Sequence, residues 1–478
     1  MINGRPSSLR ATRVLLVVVL VVVLALPSAW AGSRARRVIL MIGDGMGPAQ
    51  VGLVLDYVRF VRAGQAHMER LIDYGYTGYT TTHPLGALVT DSAASGSALA
   101  TGRVTKNGIV SWSEEEGDVE TVAERAHAAG KAVGLVTTTR LTHATPAVFA
   151  AHCRSRDMED EIARQELIGS RFEVLLGGGS RHFETLLDTA AMLGYTVVRT
   201  AAELEQVDTR RSERLLGVFS RSHMSYEIDR GATDEPSLAQ MTAAALERLG
   251  RDPDGFFLMV EGGRIDHACH DNDPGTLLHG LLAFDEAVGV ALSYAERHRG
   301  TLLLVTADHE TGGLAFTTTQ QGEGYGGAYG DPEHLALLAR QTASFASLHG
   351  RVGERPSAEV IREVLLDLCG EDIGMEAAAR ASRLGPTPFF SATTENILGQ
   401  AVGPSVHVSW ASSDHSSTPL FIFGMGPGAE RFRGIHHVSE VGRLLFQVTD
   451  FSEPGRLHPL GGSRGGRGWK VGRAEKAD

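Results

Sequence analysis

Carboxylates and imidazoles recur in this sequence at short intervals, flanked by glycine. Asp44 lies between glycines in Gly43-Asp44-Gly45-Met46-Gly47. Glu261 opens Glu261-Gly262-Gly263-Arg264-Ile265-Asp266-His267-Ala268-Cys269-His270, where Asp266 and His270 stand one helical turn apart. Asp308 and His309 are adjacent in Ala307-Asp308-His309-Glu310, and His415 closes Ser412-Ser413-Asp414-His415. A lone Asp is usually a turn residue and a lone His a satisfied core group. Several such clusters, with glycines that let backbone approach a ligand, point instead to bound metal. Mixed Asp/His donors suit Zn2+ and similar ions, and an all-oxygen set suits Mg2+.

Two further segments supply what a metal alone cannot. In Thr90-Asp91-Ser92-Ala93-Ala94-Ser95-Gly96-Ser97-Ala98-Leu99-Ala100, Ser92 begins a small-residue helical pattern, placing its hydroxyl where helix N–H groups converge on an anion. Asp91-Ser92 also reads as an ordinary helix cap. A serine needs a base or a metal to become a nucleophile, and without a G-x-S-x-G elbow around it metal activation is the better account. The segment His143-Ala144-Thr145-Pro146 leads to His152-Cys153-Arg154-Ser155-Arg156. Thr145 before Pro146 is a helix-start signal. Arg156 is either a solvated helix-end charge or a fork that clamps two oxygens of a phosphoryl group.

These residues must be positioned by elements far apart in the chain. Uninterrupted apolar runs at 38–42, 133–138, 174–176, 256–260, 302–306 and 420–423 suit strands buried on both faces, and amphipathic stretches at 119–129, 237–249 and 276–297 lie between them. The alternation predicts an α/β fold: one large, mostly parallel sheet covered by helices on both faces. Ligands in such sheets gather outside the carboxyl ends of the strands, where the clusters around Asp44, Glu261 and Asp308 fall. Residues 314–404, with a Gly/Tyr stretch at 322–330 and a helical pattern at 358–368, break the rhythm and read as an insertion.

The 478 residues, 42% hydrophobic and 21% charged, give ample length for a large core and exclude global disorder. Formal charge is -12. Residues 1–31 read as a cleaved signal peptide: Arg5, Arg10 and Arg13 precede an apolar run that ends in Ala29-Trp30-Ala31. Export is therefore expected, to the periplasm or beyond the cell, with no membrane span left after cleavage. Residues 454–478 form a Gly-rich tail of net +4, expected to be disordered. With the three N-terminal arginines and that tail set aside, residues 32–453 carry -19, which argues against a nucleic-acid partner. Three cysteines allow at most one disulfide.

Taken in order, GDGMG, DSAAS, HATP with HCRSR, EGGRIDHACH, TADHE and SDHSSTP resemble the alkaline phosphatase family, from about Val38 to Gly426. The combination is specific where any one segment would be weak. The resemblance implies a metal-dependent hydrolase of small-molecule phosphate monoesters with a catalytic domain over 32–453, a crown-like insertion at 314–404, and assembly as a homodimer. Position by position, Ser92 corresponds to the nucleophile that becomes phosphoserine and Arg156 to the phosphate clamp. Asp44, Ser92, Asp308 and His309 correspond to the ligands of one Zn2+, and Asp266, His270 and His415 to those of a second. Asp44, Thr145 and Glu261 correspond to the Mg2+ site. His143 and His267 stand where the best-known bacterial members carry Asp and Lys, and are expected to orient a ligand or a bridging water. Two metals roughly 4 Å apart can hold the attacking and leaving oxygens of an in-line displacement.

Metal sites do not choose the ester, so a phosphodiesterase or sulfatase on the same scaffold is the nearest alternative. A sulfatase-like Ser452-Glu453-Pro454-Gly455-Arg456 has no helical pattern after it and reads as chance. A non-catalytic exported phosphate- or metal-binding protein would be expected to lose Ser92 or Arg156 first, and both are present. HExxH and Walker A are absent, which removes support for zinc-peptidase and ATP-dependent chemistry.

Overall fold

Ten strands build one sheet: β1 (Arg37–Ile42), β2 (Tyr76–Thr81), β3 (Ala132–Arg140), β4 (Val174–Gly178), β5 (Tyr195–Val198), β6 (Arg214–Val218), β7 (Phe256–Glu261), β8 (Thr301–Thr306), β9 (Leu420–Met425) and β10 (Gly434–His437). A computed structural model provides this structure and describes residues 34–208, 213–318, 332–370, 372–449 and 451. The expected signal peptide, the basic tail, the Ser452–Arg456 match and the Gly/Tyr stretch lie outside the described residues.

The spatial order is β10-β2-β9-β8-β1-β7-β3-β4-β6-β5. From β8 to β5 every neighbouring pair is parallel. On the other side β9 runs antiparallel to both β8 and β2, while β10 is parallel to β2. The expected mostly parallel sheet is thus present, with one reversed strand near an edge. The runs at 38–42 and 256–260 are apolar throughout because both faces are covered: in β1, Val38, Leu40 and Ile42 enter one core and Ile39 and Met41 the other.

The helices that matter here are α1 (Ser92–Thr101), α2 (Ala144–Ala147), α3 (Leu238–Leu249), α4 (Arg264–His270), α5 (Pro274–Arg297), α6 (Ala358–Cys369), α7 (Thr394–Val402) and α8 (Val438–Val448). α1 is buried along its whole length, which its small side chains permit. It lies so close to α8 that a Cβ at Gly442 would sit 2.2 Å from the carbonyl oxygen of Ala98. α5 is long and apolar enough to cross a membrane by composition, yet it packs in the core beside α3. Its Asp285 accepts the N–H groups of His67 and Met68, at 2.9 and 2.8 Å, starting the helix His67–Tyr74.

Between residues 314 and 404 the described chain adds no strand to the large sheet. It forms helices, including α6 and α7, and a two-stranded ribbon of Leu314–Phe316 with Val408–Trp410. α7 leans on the catalytic side of the molecule: Asn396 Nδ2 donates to the His270 carbonyl at 2.7 Å. Cys153, Cys269 and Cys369 are buried thiols, so the one conceivable disulfide is not formed.

Candidate active site

Strand register sets the floor of the site. Ile42 of β1 pairs with Thr306 of β8 and with Glu261 of β7, and Thr137 of β3 pairs with the same Glu261. The carboxyl ends of β8, β1 and β7 are therefore level, with Thr137 of β3 beside them. Asp44 just past β1, Glu261 at the end of β7 and Asp308-His309 just past β8 meet at one height. Gly45 makes the turn possible: its φ is +71°, and a Cβ there would lie 2.9 Å from both Asp266 Cα and Thr311 Oγ1.

Three groups of side chains bring ligand atoms within 4.8 Å of one another: Asp44, Asp308 and His309; Asp266, His270 and His415; Asp44, His143 and Glu261. In the first, His309 Nε2 lies 3.3 Å from Asp44 Oδ1, 3.4 Å from Asp308 Oδ2 and 3.1 Å from Ser92 Oγ. All four residues are buried. In the second, His270 Nε2 is 3.3 Å from Asp266 Oδ2 and 3.2 Å from His415 Nε2, and His415 Nε2 is 3.8 Å from Asp266 Oδ1. Both imidazoles there are partly exposed. Thr145, on the single turn of α2, brings Oγ1 to 3.5 Å from Asp44 Oδ2, so Asp44 stands between the first and third groups.

These donors are held facing inward. Thr311 Oγ1 donates to Asp266 Oδ1 at 2.6 Å and lies 3.1 Å from His309 Nδ1. With its proton spent on Asp266, the Thr311 oxygen accepts from His309 Nδ1–H, which leaves Nε2 bare and turned to Ser92. His270 Nδ1 is 2.7 Å from the Ser413 carbonyl, and His415 Nδ1 is 2.9 Å from the Thr90 carbonyl. Both rings are therefore held with Nε2 turned toward Asp266. Asp308 Oδ1 accepts from the N–H groups of Gly45 and His309 at 3.3 and 3.0 Å. Glu261 Oε2 accepts from the hydroxyls of Thr137 and, at 3.2 Å, Thr139.

The same carboxylates are left half-satisfied. Asp44 Oδ1, Asp308 Oδ2 and Glu261 Oε1 are buried without a hydrogen-bond partner. Burial first, then repulsion from Asp308, Asp266 and Glu261, holds the Asp44 carboxyl well above its ordinary range. Burial pushes Glu261 up to about 7, with repulsion from Asp308 added, although the Thr137 hydroxyl opposes the rise. Burial and then Asp266 push Asp308 up to about 6. Unpaired buried carboxylates are costly, and a cation among them removes both the repulsion and the missing partners. The donor set therefore fits divalent metal.

Asp91 caps α1 through Ala94 N–H at 2.9 Å, which leaves Ser92 as the first residue of a buried helix. The other Asp91 oxygen accepts from Arg156 Nη1 at 3.2 Å and from Gly108 N–H at 3.0 Å. Arg156 Nη2 lies 3.0 Å from His143 Nε2. The guanidinium is thus fixed from two sides and faces the same centre as Ser92.

Of the residues singled out in the sequence, Asp44, Ser92, Thr145, Arg156, Glu261, Asp266, His270, Asp308, His309 and His415 come together. His143, expected as an orienting group, stands close enough to be grouped with Asp44 and Glu261. His267 does not reach a ligand group; its Nδ1 is 2.8 Å from Arg264 Nη1. Burial and then the Arg264 charge push His267 down to about 3. Sequence reasoning missed Thr137, Thr139 and Thr311, which hold the carboxylates, and His223. The last follows the apolar strand β6 in Ser220-Arg221-Ser222-His223, so the strand-end census that found Asp44 would have found it too.

A family model described as alkaline phosphatase matches residues 35–451. Alkaline phosphatase 4 of Bacillus subtilis (strain 168) is 32% identical over 438 residues, 87% of this chain and 89% of that protein. The crystal structure of an alkaline phosphatase from Thermus thermophilus superposes with a TM-score of 0.80 at 33% identity, covering 88% of this chain and 93% of that one. That of a cold-active alkaline phosphatase from Shewanella sp. gives 0.73 at 30% identity, over 86% and 99%.

Proposed function

The chain belongs to the alkaline phosphatase family and hydrolyses phosphate monoesters; from that premise we propose that Ser92 is the nucleophile and Arg156 the phosphoryl clamp. The observation that carries the assignment is the position of Ser92 Oγ. It sits at the start of a buried helix, 3.1 Å from a bare His309 Nε2 inside the Asp44–Asp308–His309 group.

We assign one Zn2+ to Asp44, Ser92, Asp308 and His309, a second to Asp266, His270 and His415, and Mg2+ to Asp44, Thr145 and Glu261. His143 orients a water there. Such ions supply Lewis-acid stabilisation of the attacking and leaving oxygens. Ser92 gives up its hydroxyl proton to solvent, its Oγ attacks phosphorus in line with the ester oxygen, the P–O bond to the leaving group breaks, and the alcohol departs with a proton from solvent. Water then attacks the phosphoserine, the P–Oγ bond breaks, Ser92 regains a proton, and inorganic phosphate leaves. Through both displacements the Arg156 fork holds two non-bridging oxygens, and Asp91 and His143 keep that fork from swinging away. The helix N-terminus adds its N–H groups to the same negative charge.

The direct test is acid quench of the enzyme during turnover of a 32P-labelled monoester. The label is expected on the peptide carrying Ser92, and label on another residue would displace the assignment. Elemental analysis of the purified protein tests the two Zn2+ and one Mg2+. We read residues 32–453 as one catalytic domain with an insertion at 314–404, exported to the periplasm or secreted and assembled as a homodimer. Cell fractionation and light scattering test the last two points.

A further inference from the structure

Three imidazoles crowd together beside Arg156, and each is engaged by its own arginine. The ring centroids of His143 and His223 are 5.3 Å apart, those of His143 and His267 5.7 Å, and those of His223 and His267 4.5 Å. Arg156 Nη2 faces His143 Nε2 at 3.0 Å, Arg264 Nη1 faces His267 Nδ1 at 2.8 Å, and Arg140 Nη1 faces His223 Nε2. A guanidinium can only donate, so in each pair the imidazole nitrogen accepts and the ring proton sits on the opposite nitrogen. His223 thereby offers Nδ1–H and His267 offers Nε2–H, both aimed away from the arginines.

The donors of this face outnumber its acceptors. His223 Nδ1 and Arg264 Nε are buried with no hydrogen-bond partner. Glu159, the carboxylate nearest in the network, already accepts from Arg140 Nε and Nη2 at 2.6 and 3.0 Å and from Thr142 at 2.6 Å, with His182 Nε2 3.1 Å away. The remaining positive charge around the rings comes from Arg140, Arg181 and Arg264, and the Asp266 carboxylate that opposes it at His267 is already engaged by Thr311, His270 and His415. His223, His267 and Arg264 are each partly exposed, although the two unpartnered donor atoms are themselves buried. A donor-rich, cationic face without a matching acceptor is suited to an oxyanion.

We propose that His223, His267 and Arg264 form a second oxyanion subsite, one imidazole removed from the phosphoryl clamp, that takes a further phosphate or carboxylate group of the substrate. The inference rests on Arg156 being the clamp and extends it to substrate choice: monoesters carrying a second anion a few bonds from the reacting phosphate are favoured over those with a neutral leaving group. The second anion can arrive tethered to the substrate or as free inorganic phosphate.

The test uses the metal-loaded full chain with two substrates, propyl phosphate and 1,3-propanediol bisphosphate, which differ only in the second anion. The wild type is expected to show the lower KM for the bisphosphate. His223→Ala should raise that KM roughly tenfold, the loss of one charge-assisted contact, while KM and kcat for propyl phosphate change less than about twofold. Arg264→Met should repeat the pattern and covers the case in which the first variant does not fold. An equal change for both substrates, or a wild type indifferent to the second anion, overturns the subsite. Inorganic phosphate as inhibitor then separates the sources. A noncompetitive component lost in His223→Ala marks free phosphate as an occupant, and purely competitive inhibition restricts the subsite to tethered anions. Failure of the wild type to hydrolyse propyl phosphate at all would instead remove the phosphatase reading on which the subsite depends.

Discussion

The two groups at the strand ends use the same residue types and differ in their balance of charge. Asp44, Asp308 and His309 are fully buried, two carboxylates share one neutral imidazole, and the carboxyls are pushed above their ordinary range. Asp266 has two imidazoles, His270 and His415, both partly exposed. Burial works against the ionised Asp266, but the charge and hydrogen bond of His270 outweigh it and hold the carboxyl well below the usual range. His270 in turn is pushed up to about 9: burial opposes, and Asp266 prevails. One group is incomplete without a cation, while the other is already an ion pair. The first suits a permanent ion that holds the nucleophile, and the second suits a site whose open side exchanges water and leaving groups.

Removing the metal should give the largest effect. A chelator is expected to abolish turnover and lower the unfolding midpoint, because metal bound only by the folded chain contributes to its stability. The metal-free chain should then show two separate pH slopes. Glu261 and Asp308 are raised to about 7 and about 6, so stability falls as pH climbs from about 4 through 7, where the unfolded chain ionises first, and the raised Asp44 carboxyl adds a fall of the same sign. His270 stabilises fully below about 6.5, and its contribution fades as pH rises through about 9. Urea titrations across pH in chelator read both slopes, and a single featureless profile would erase the distinction between the groups.

Next in size is Ser92→Ala, expected to lose about a thousandfold or more in kcat while elemental analysis finds its metal retained. Near-normal turnover would move the nucleophile elsewhere. Arg156→Ala should cost about a hundredfold in kcat/KM and weaken competitive inhibition by phosphate; an unchanged inhibition constant removes it from the clamp.

The sharpest contrast is of opposite sign. In chelator at pH 8, Asp308→Asn relieves repulsion and should stabilise the chain, whereas Asp266→Asn strands His270 and should destabilise it, each by roughly 1–3 kcal/mol. Denaturant midpoints moving in the same direction for both would show that the charge balance described above is wrong. The smallest effect is that of Thr137→Val, which takes one hydroxyl from Glu261 and should cost about 1 kcal/mol and some Mg2+ affinity.

The central strands and the chemistry at their ends were legible because burial on both faces demands unbroken apolar runs and ligand approach demands glycine. Edge strands carry neither mark. β2 reads Tyr-Thr-Gly-Tyr-Thr-Thr and β10 reads Gly-Ile-His-His, sequences that become strands through pairing with β9 and with each other. The reversal of β9 was equally silent, since strand direction is set by how the chain returns from residues 314–404. In the site, residues with both type and spacing were singled out, and the structure brings them together. Thr137, Thr139 and Thr311 were not, because a threonine that donates to a carboxylate looks like any other strand or loop threonine until its partner is known.

One feature of the sheet governs how the enzyme comes into being. β1 is the first strand of the sheet in the chain, yet it lies at the centre, and its two neighbours begin at residues 256 and 301. At ordinary rates of translation the wait between β1 and β8 is roughly ten seconds to a minute. Throughout that time its apolar edges have no native partner, and pairing at such separation is intrinsically slow. The centre is completed only when His415 has been made, so no shorter nascent chain can hold both groups. On the assignment proposed for the site, catalytic competence is therefore acquired late, long after the first of its residues has been synthesised.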